Sequence, residues 1–268
     1  MKRLSIILAI ALHLILVCQC AFGDLVGFSY DDWALYQLDI ATMQSTKIGD
    51  LDIPRAADLA CMTAASASSA YMVGREQDTL YTVSLEDASM IASVSLDRDM
   101  LVNGRGLALS PTGVLHGVFA GRELRSIDPI TGSTALIMRF DTWSVESLAF
   151  SSEGVLYVGQ DHGGTGRFSA VDVSTGTQTD FAQTGAIADP DAMAYLDGYL
   201  YAADSVGGIS ADLYRIDAVS GGVVNLGNTG ITGLNGMVAI EQITTPLPSA
   251  ALLAVLGLGV ARWRLRRQ

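Results

Sequence analysis

A short strand-like pattern returns five times along this chain at an almost constant interval. The copies are LYQLD ending at Asp39, LYTVS at Ser84, LRSID at Asp128, FSAVD at Asp172 and LYRID at Asp217, spaced by 45, 44, 44 and 45 residues. A repeat of that length is one supersecondary unit, which buries its apolar faces only by stacking on its neighbours. A second signature rides on the first: RGLALSPTGVLHGV, ESLAFSSEGVLYVG and DAMAYLDGYLYAAD. Each has an apolar trio, a turn with glycine (Gly113, Gly154, Gly198) and a second alternating run, the glycine supplying the positive φ of a tight turn. LACMTAASASSAYMVG is a copy without the turn glycine, and NGMVAI is the first half of another.

Alternation with period two reads as β-strand, and nothing in the body has the pattern of a long amphipathic helix. Each unit supplies about four short strands, such as TLYTVSL, SMIASVSL, RGLALS and VLHGVFAG. Four strands per 40–50 residues is the composition of a β-propeller blade. The expected fold is all-β, a propeller of five four-stranded blades over residues 24–243. Its ring closes where the N-terminal strand Leu25 to Tyr30 pairs beside Met237 to Glu241, which protects both edges. An open ring or a sixth blade is the alternative, because outer strands are poorly marked in sequence.

The two ends of the chain differ from this body. Residues 1–23 have a basic start (Lys2, Arg3), an apolar run from Leu4 to Val17 and small residues Ala21 and Gly23 before a cleavage point. This is the layout of a secretory signal. Gln19 before Cys20 argues against a lipoprotein signal, which places a small residue there. The other end, 244–268, carries a proline pair, an uncharged stretch from Leu247 to Ala261, and Arg262, Arg264, Arg266 and Arg267. As a helix the apolar stretch rises about 22 Å, short of a bilayer core of about 30 Å. Its arginines would stay on the cytoplasmic side. A permanent membrane anchor is the alternative to a temporary one.

Between these ends, 28 acids face ten lysines and arginines, six of the chain's 16 being terminal, a balance of −18. That charge disfavours nucleic acid and anionic membrane surfaces as partners. Cys18 and Cys20 leave with the signal, so no intrachain disulfide is expected and Cys61 reads as a small buried hydrophobe.

The ending Pro246-Leu247-Pro248-Ser249, apolar helix and arginine cluster resembles a PEP-CTERM sorting signal, with Leu247 where that family usually has Glu. The resemblance implies a Gram-negative exported protein, recognised by an exosortase after transient inner-membrane anchoring. Such a protein is released to the cell surface or extracellular matrix, where a polysaccharide or protein would be its ligand. The body is similar to bacterial repeat propellers, including the gluconolactonase and lactonase group.

Chemistry-bearing motifs are sparse. The sequence contains no His-Glu-x-x-His, Gly-x-Ser-x-Gly, Walker loop or paired Cys-x-x-Cys. His116 takes the slot of the strand tyrosines Tyr157 and Tyr201, a structural position, and His162 lies in the loop QDHGGTGR. Asp39, Asp128, Asp172 and Asp217 open turns such as DPITG and DVSTG, where aspartate caps the turn. One constellation remains. Two residues before the apolar trio the repeats carry Arg105, Glu146, Asp191 and Asn235, with Asp58 as a counterpart in the degraded copy. The lactonase resemblance implies a Ca²⁺ site from Glu146, Asp191 and Asn235, whose oxygen ligands suit that ion. Polar groups at a wet channel, bonded to neighbouring backbone, are the other reading. Arg105 in the same slot puts a positive charge among the would-be ligands and weakens a metal site. The expected function is therefore a non-enzymatic surface or matrix protein without a cofactor. The alternative is a Ca²⁺-dependent lactonase-like hydrolase.

Overall fold

The computed structural model describes residues 24–55, 59–74, 78–97, 105–141, 144–204 and 208–240. The stretches 1–23 and 244–268, where a secretory signal and a sorting signal are expected, and Asp58 lie outside these residues. The described residues form five four-stranded antiparallel sheets. The first holds β1 (Asp24–Ser29), β2 (Ala34–Asp39) and β3 (Gln44–Asp50). The second holds β4 (Leu59–Ser66), β5 (Ser69–Gly74), β6 (Thr79–Ser84) and β7 (Met90–Ser95). The third holds β8 (Leu107–Leu109), β9 (Leu115–Phe119), β10 (Glu123–Ile127) and β11 (Thr134–Arg139). The fourth holds β12 (Val145–Phe150), β13 (Leu156–Asp161), β14 (Gly166–Asp172) and β15 (Thr177–Thr184). The fifth holds β16 (Ala192–Leu196), β17 (Tyr199–Ala203), β18 (Ser210–Asp217) and β19 (Val223–Thr232). The last strand, β20 (Leu234–Ile240), returns to the first sheet and pairs with β1.

That return closes the ring as expected: Leu25 faces Ala239, Val26 faces Val238, and the Tyr30 amide donates to the Gly233 carbonyl. The strands β20, β4, β8, β12 and β16 each lie against the next around the ring, so they are the innermost of their sheets. Blade number and closure match the period, but the repeat unit and the sheet do not coincide. TLYTVSL and SMIASVSL complete the second sheet, whereas RGLALS and VLHGVFAG begin the third. A unit cut at the LY strand straddles two blades, because a circular repeat has no natural starting point.

The cores lie between blades. Phe28 belongs to the cluster joining the first and second sheets, Phe119 to that of the second and third. Phe140 belongs to the cluster of the third and fourth, Phe168 to that of the fourth and fifth. All four rings are fully buried, each worth about 1.5–3 kcal/mol against exposure. The closing interface uses leucines instead, Leu25, Leu38 and Leu234 from the first sheet against Leu213 and Leu196 of the fifth. Cys61 is buried in the cluster with Val73, Leu80 and Leu107, as a small hydrophobe would be.

The turns from third to outer strand are built alike. Asp39, Asp128, Asp172 and Asp217 each accept, through Oδ1, the amides two and three residues on. Ser84 does the same in the second blade through Oγ. Hydroxyl bonds from Thr42 to Asp39 and from Ser174 to Asp172, and the amide bonds at Asp128 and Asp217, lower the four aspartate pKa values, so the aspartates are architecture rather than ligands.

Candidate functional site

The inner strands all run in one sense around the ring, so their N-terminal ends gather at one mouth of the channel. Arg105 reaches that mouth through the backbone of Gly106, whose φ of +91° no side-chain-bearing residue adopts comfortably. A Cβ on Gly106 would stand 2.9 Å from Leu148 Cγ and 3.3 Å from the Leu148 nitrogen. The third blade thus approaches β12 of the fourth at van der Waals distance. Across that seam the pairing of β12 with β13 shifts register between Val145 and Ser147. Glu146 is the residue at this irregularity. Asp191 comes from the fifth blade, where the turn Asp189-Pro190-Asp191 is closed by the Asp191 amide donating to the Asp189 carbonyl at 2.8 Å.

These three blades meet on one guanidinium. Arg105 Nη1 lies 2.6 Å from Glu146 Oε2, 2.5 Å from Asp191 Oδ1 and 3.5 Å from Asp189 Oδ2. The side chains of Arg105, Glu146 and Asp191 are 15%, 10% and 6% exposed, so the pairing is largely dry. Burial works against the charge of Arg105. The carboxylates of Asp191, Glu146 and Asp189 outweigh it together and raise the guanidinium pKa. Asp189 is pushed the other way: burial lifts its pKa, the Arg105 charge opposes this, and Asp161 and Asp204 add to the rise.

Of the residues the sequence placed in one slot, the structure brings together Arg105, Glu146 and Asp191. Asn235 is buried at the start of β20. Asp189 was missed, because it stands outside the repeat slot and the Pro190 turn folds it back. A proline flanked by two aspartates just before an inner strand was its only mark in sequence. His116 is buried, packs 4.9 Å from Phe150 and places Nδ1 2.9 Å from the Val114 carbonyl, a structural position. His162 is exposed, in the hairpin between β13 and β14, with its amide on the Thr165 carbonyl.

One ligand atom from each of Glu146, Asp189 and Asp191 falls within 4.8 Å of the others, a spacing that would suit a divalent cation. The residues present do not fit one. The guanidinium stands against the same Glu146 and Asp191 oxygens a cation would need, with one positive charge already supplied. The relation is closer than repulsion between neighbours in a slot: arginine takes the cation's place.

A family model described as a repeat of unknown function (DUF6923) matches residues 136–236. No curated protein sequence matches the chain. Among solved structures the chain is similar to one in a nidogen/laminin complex, at 9% identity and a TM-score of 0.53, covering 82% of this chain and 98% of that one. It is also similar to virginiamycin B lyase from Staphylococcus aureus, at 14% identity and a TM-score of 0.47, covering 77% and 70%. A streptogramin B lyase structure follows at 12% and 0.47, covering 76% and 68%. At these identities the likeness is one of fold.

Proposed function

We infer that this chain is a non-enzymatic propeller, exported to the cell surface or extracellular matrix, whose faces bind a protein or polysaccharide. The observation that carries the non-enzymatic part is Arg105. Its guanidinium pairs with the carboxylates that a lactonase-like propeller would need for an ion. Export rests on the sequence: the basic-apolar start, the Pro246-Leu247-Pro248-Ser249 motif with its arginine tail, and an acidic body suited to an exterior milieu. An exosortase-type enzyme would remove the tail.

The test has two arms. Mass spectrometry of the mature protein from its own host should find a start near Asp24 and an end near Pro246 to Ser249, in the surface or matrix fraction. An intact Arg262 to Gln268 would instead mark a plain membrane anchor. Purified protein, supplied with Ca²⁺, should turn over no lactone. Turnover lost in Glu146→Gln would establish the hydrolase.

A further inference from the structure

The opposite mouth of the channel is built from different chemistry. There the inner strands end and the turns around Gly113, Gly154 and Gly198 fold back. Between them lies a cleft of about 540 Å³ lined by Pro111, Phe150, Glu153, Tyr195 and Asp197. Tyr195 is stacked on Tyr157, with ring centroids 5.6 Å apart and planes 9° from parallel. Phe150 packs against the His116 ring, with centroids 4.9 Å apart. Two aromatic rings, Phe150 and Tyr195, thus line the cleft, each packed against a neighbouring ring.

The rim is acidic. Glu153 is exposed and accepts a hydrogen bond from the Ser152 hydroxyl at 2.8 Å; Asp197 sits at the tip of its hairpin with φ of 51°. Among the described residues neither forms an ion pair. The Glu153 charge also contributes, after burial, to raising the phenol pKa values of Tyr157 and Tyr195, so carboxylate and rings share one space. Two carboxylates above aromatic faces are complementary to a cation on an apolar stem. The charge meets the acids and the ring quadrupole, and the methylenes cover the rings.

We propose that this cleft binds the lysine side chain of an extended partner peptide, with its methylenes on Phe150 and Tyr195 and its ammonium between Glu153 and Asp197. Two adjoining grooves share Glu153 with this cleft and lengthen it, one lined by Val114 and His116 and one running along Ala170 to Thr179. That length suits a chain passing through better than an isolated amine. A glucosamine unit offers its ammonium on a hydroxyl-rich ring and has no stem to lie on Phe150. A lysine has four methylenes. The inference deepens the binding reading by naming a face and a ligand class. It does not depend on export or on the Arg105 cluster.

The test is calorimetric titration of the folded protein with a capped Gly-Lys-Gly-Lys-Gly peptide at low and high salt. Saturable binding that weakens with salt is expected, lost when both lysines are Nε-acetylated. Glu153→Gln should weaken it about tenfold, as should Tyr195→Leu, while Glu86→Gln on the second blade leaves it unchanged. Glu153 is a surface residue, so its variant keeps the test decisive if Tyr195→Leu fails to fold. Absence of saturable binding, equal binding of the acetylated peptide, insensitivity to Glu153→Gln, or capture of a glucosamine tetramer in place of the peptide each overturns the proposal. Such a failure leaves the non-enzymatic reading standing, whereas lactone turnover would sink that reading and leave this one.

Discussion

Arg105→Met removes one charge and keeps most of the volume. In the protein, that charge lies 2.6 Å and 2.5 Å from oxygens of two carboxylates that are themselves only 10% and 6% exposed. Without it, Glu146 and Asp191 face each other across a dry gap with Asp189 beside them. Two like charges about 4 Å apart repel by about 4 kcal/mol at an effective dielectric near 20. Breaking a buried ion pair by deleting one partner costs about 3–5 kcal/mol, which agrees. The molecule's one relief is protonation: one carboxyl takes up a proton, which at neutral pH costs about 4 kcal/mol for a group titrating near 4. The loss at pH 7 should therefore be about 3–5 kcal/mol, or a fall in Tm of about 6–20 °C for a ring of this size. As the pH falls to about 4 the proton becomes available and the deficit should shrink to a fraction of its neutral value. Calorimetry or urea denaturation of both proteins at the two pH values measures this directly. A deficit below about 1 kcal/mol at pH 7, or one that does not change with pH, would refute the claim that the guanidinium holds these carboxylates together.

Two further perturbations test neighbouring parts of the account. Gly106→Ala should destabilise by at least about 1–3 kcal/mol in a denaturation experiment, because the φ of +91° and the approach to Leu148 both exclude a Cβ. A neutral effect would mean the seam between third and fourth blades is looser than described. His116 has its pKa lowered by burial, against which the bond to the Val114 carbonyl works. Its neutral form therefore stabilises the fold above the ordinary histidine pKa, and that contribution is lost as the pH falls through the lowered value. His116→Tyr, the residue type of the equivalent slot in the next two blades, should remove this pH dependence. An unchanged stability–pH profile would count against it.

The ring was readable in sequence because short strands bounded by turn residues recur every 44–45 residues, although strands such as β9 and β12 are buried along almost their whole length rather than at alternate residues. Once Leu25 to Tyr30 and Met237 to Glu241 were seen as fragments of one unit, closure followed. The position of the blade boundary was not readable, since a repeat on a circle looks the same from any starting residue. The turn aspartates were legible because their chemistry is local: Asp172 bonds amides two and three residues away. The charged cluster was legible only in part. Arg105, Glu146 and Asp191 share a slot, but whether a cation and two anions in one slot repel a metal or satisfy each other depends on side-chain reach. Asp189 arrives through a turn that no periodicity marks, and the pairing of Phe150 with His116 and of Tyr195 with Tyr157 crosses blades. Contacts between units cannot be read within one.

The central claim is that arginine fills the place of a cation at the channel mouth, and a thermal titration with Ca²⁺ tests it most directly. An ion that binds only the folded ring would stabilise it by about 2.7 kcal/mol at a hundredfold excess over its Kd, a rise in Tm of about 5–11 °C. The account predicts the same Tm in Ca²⁺ and in chelator. A saturable rise that disappears in Glu146→Gln would contradict it.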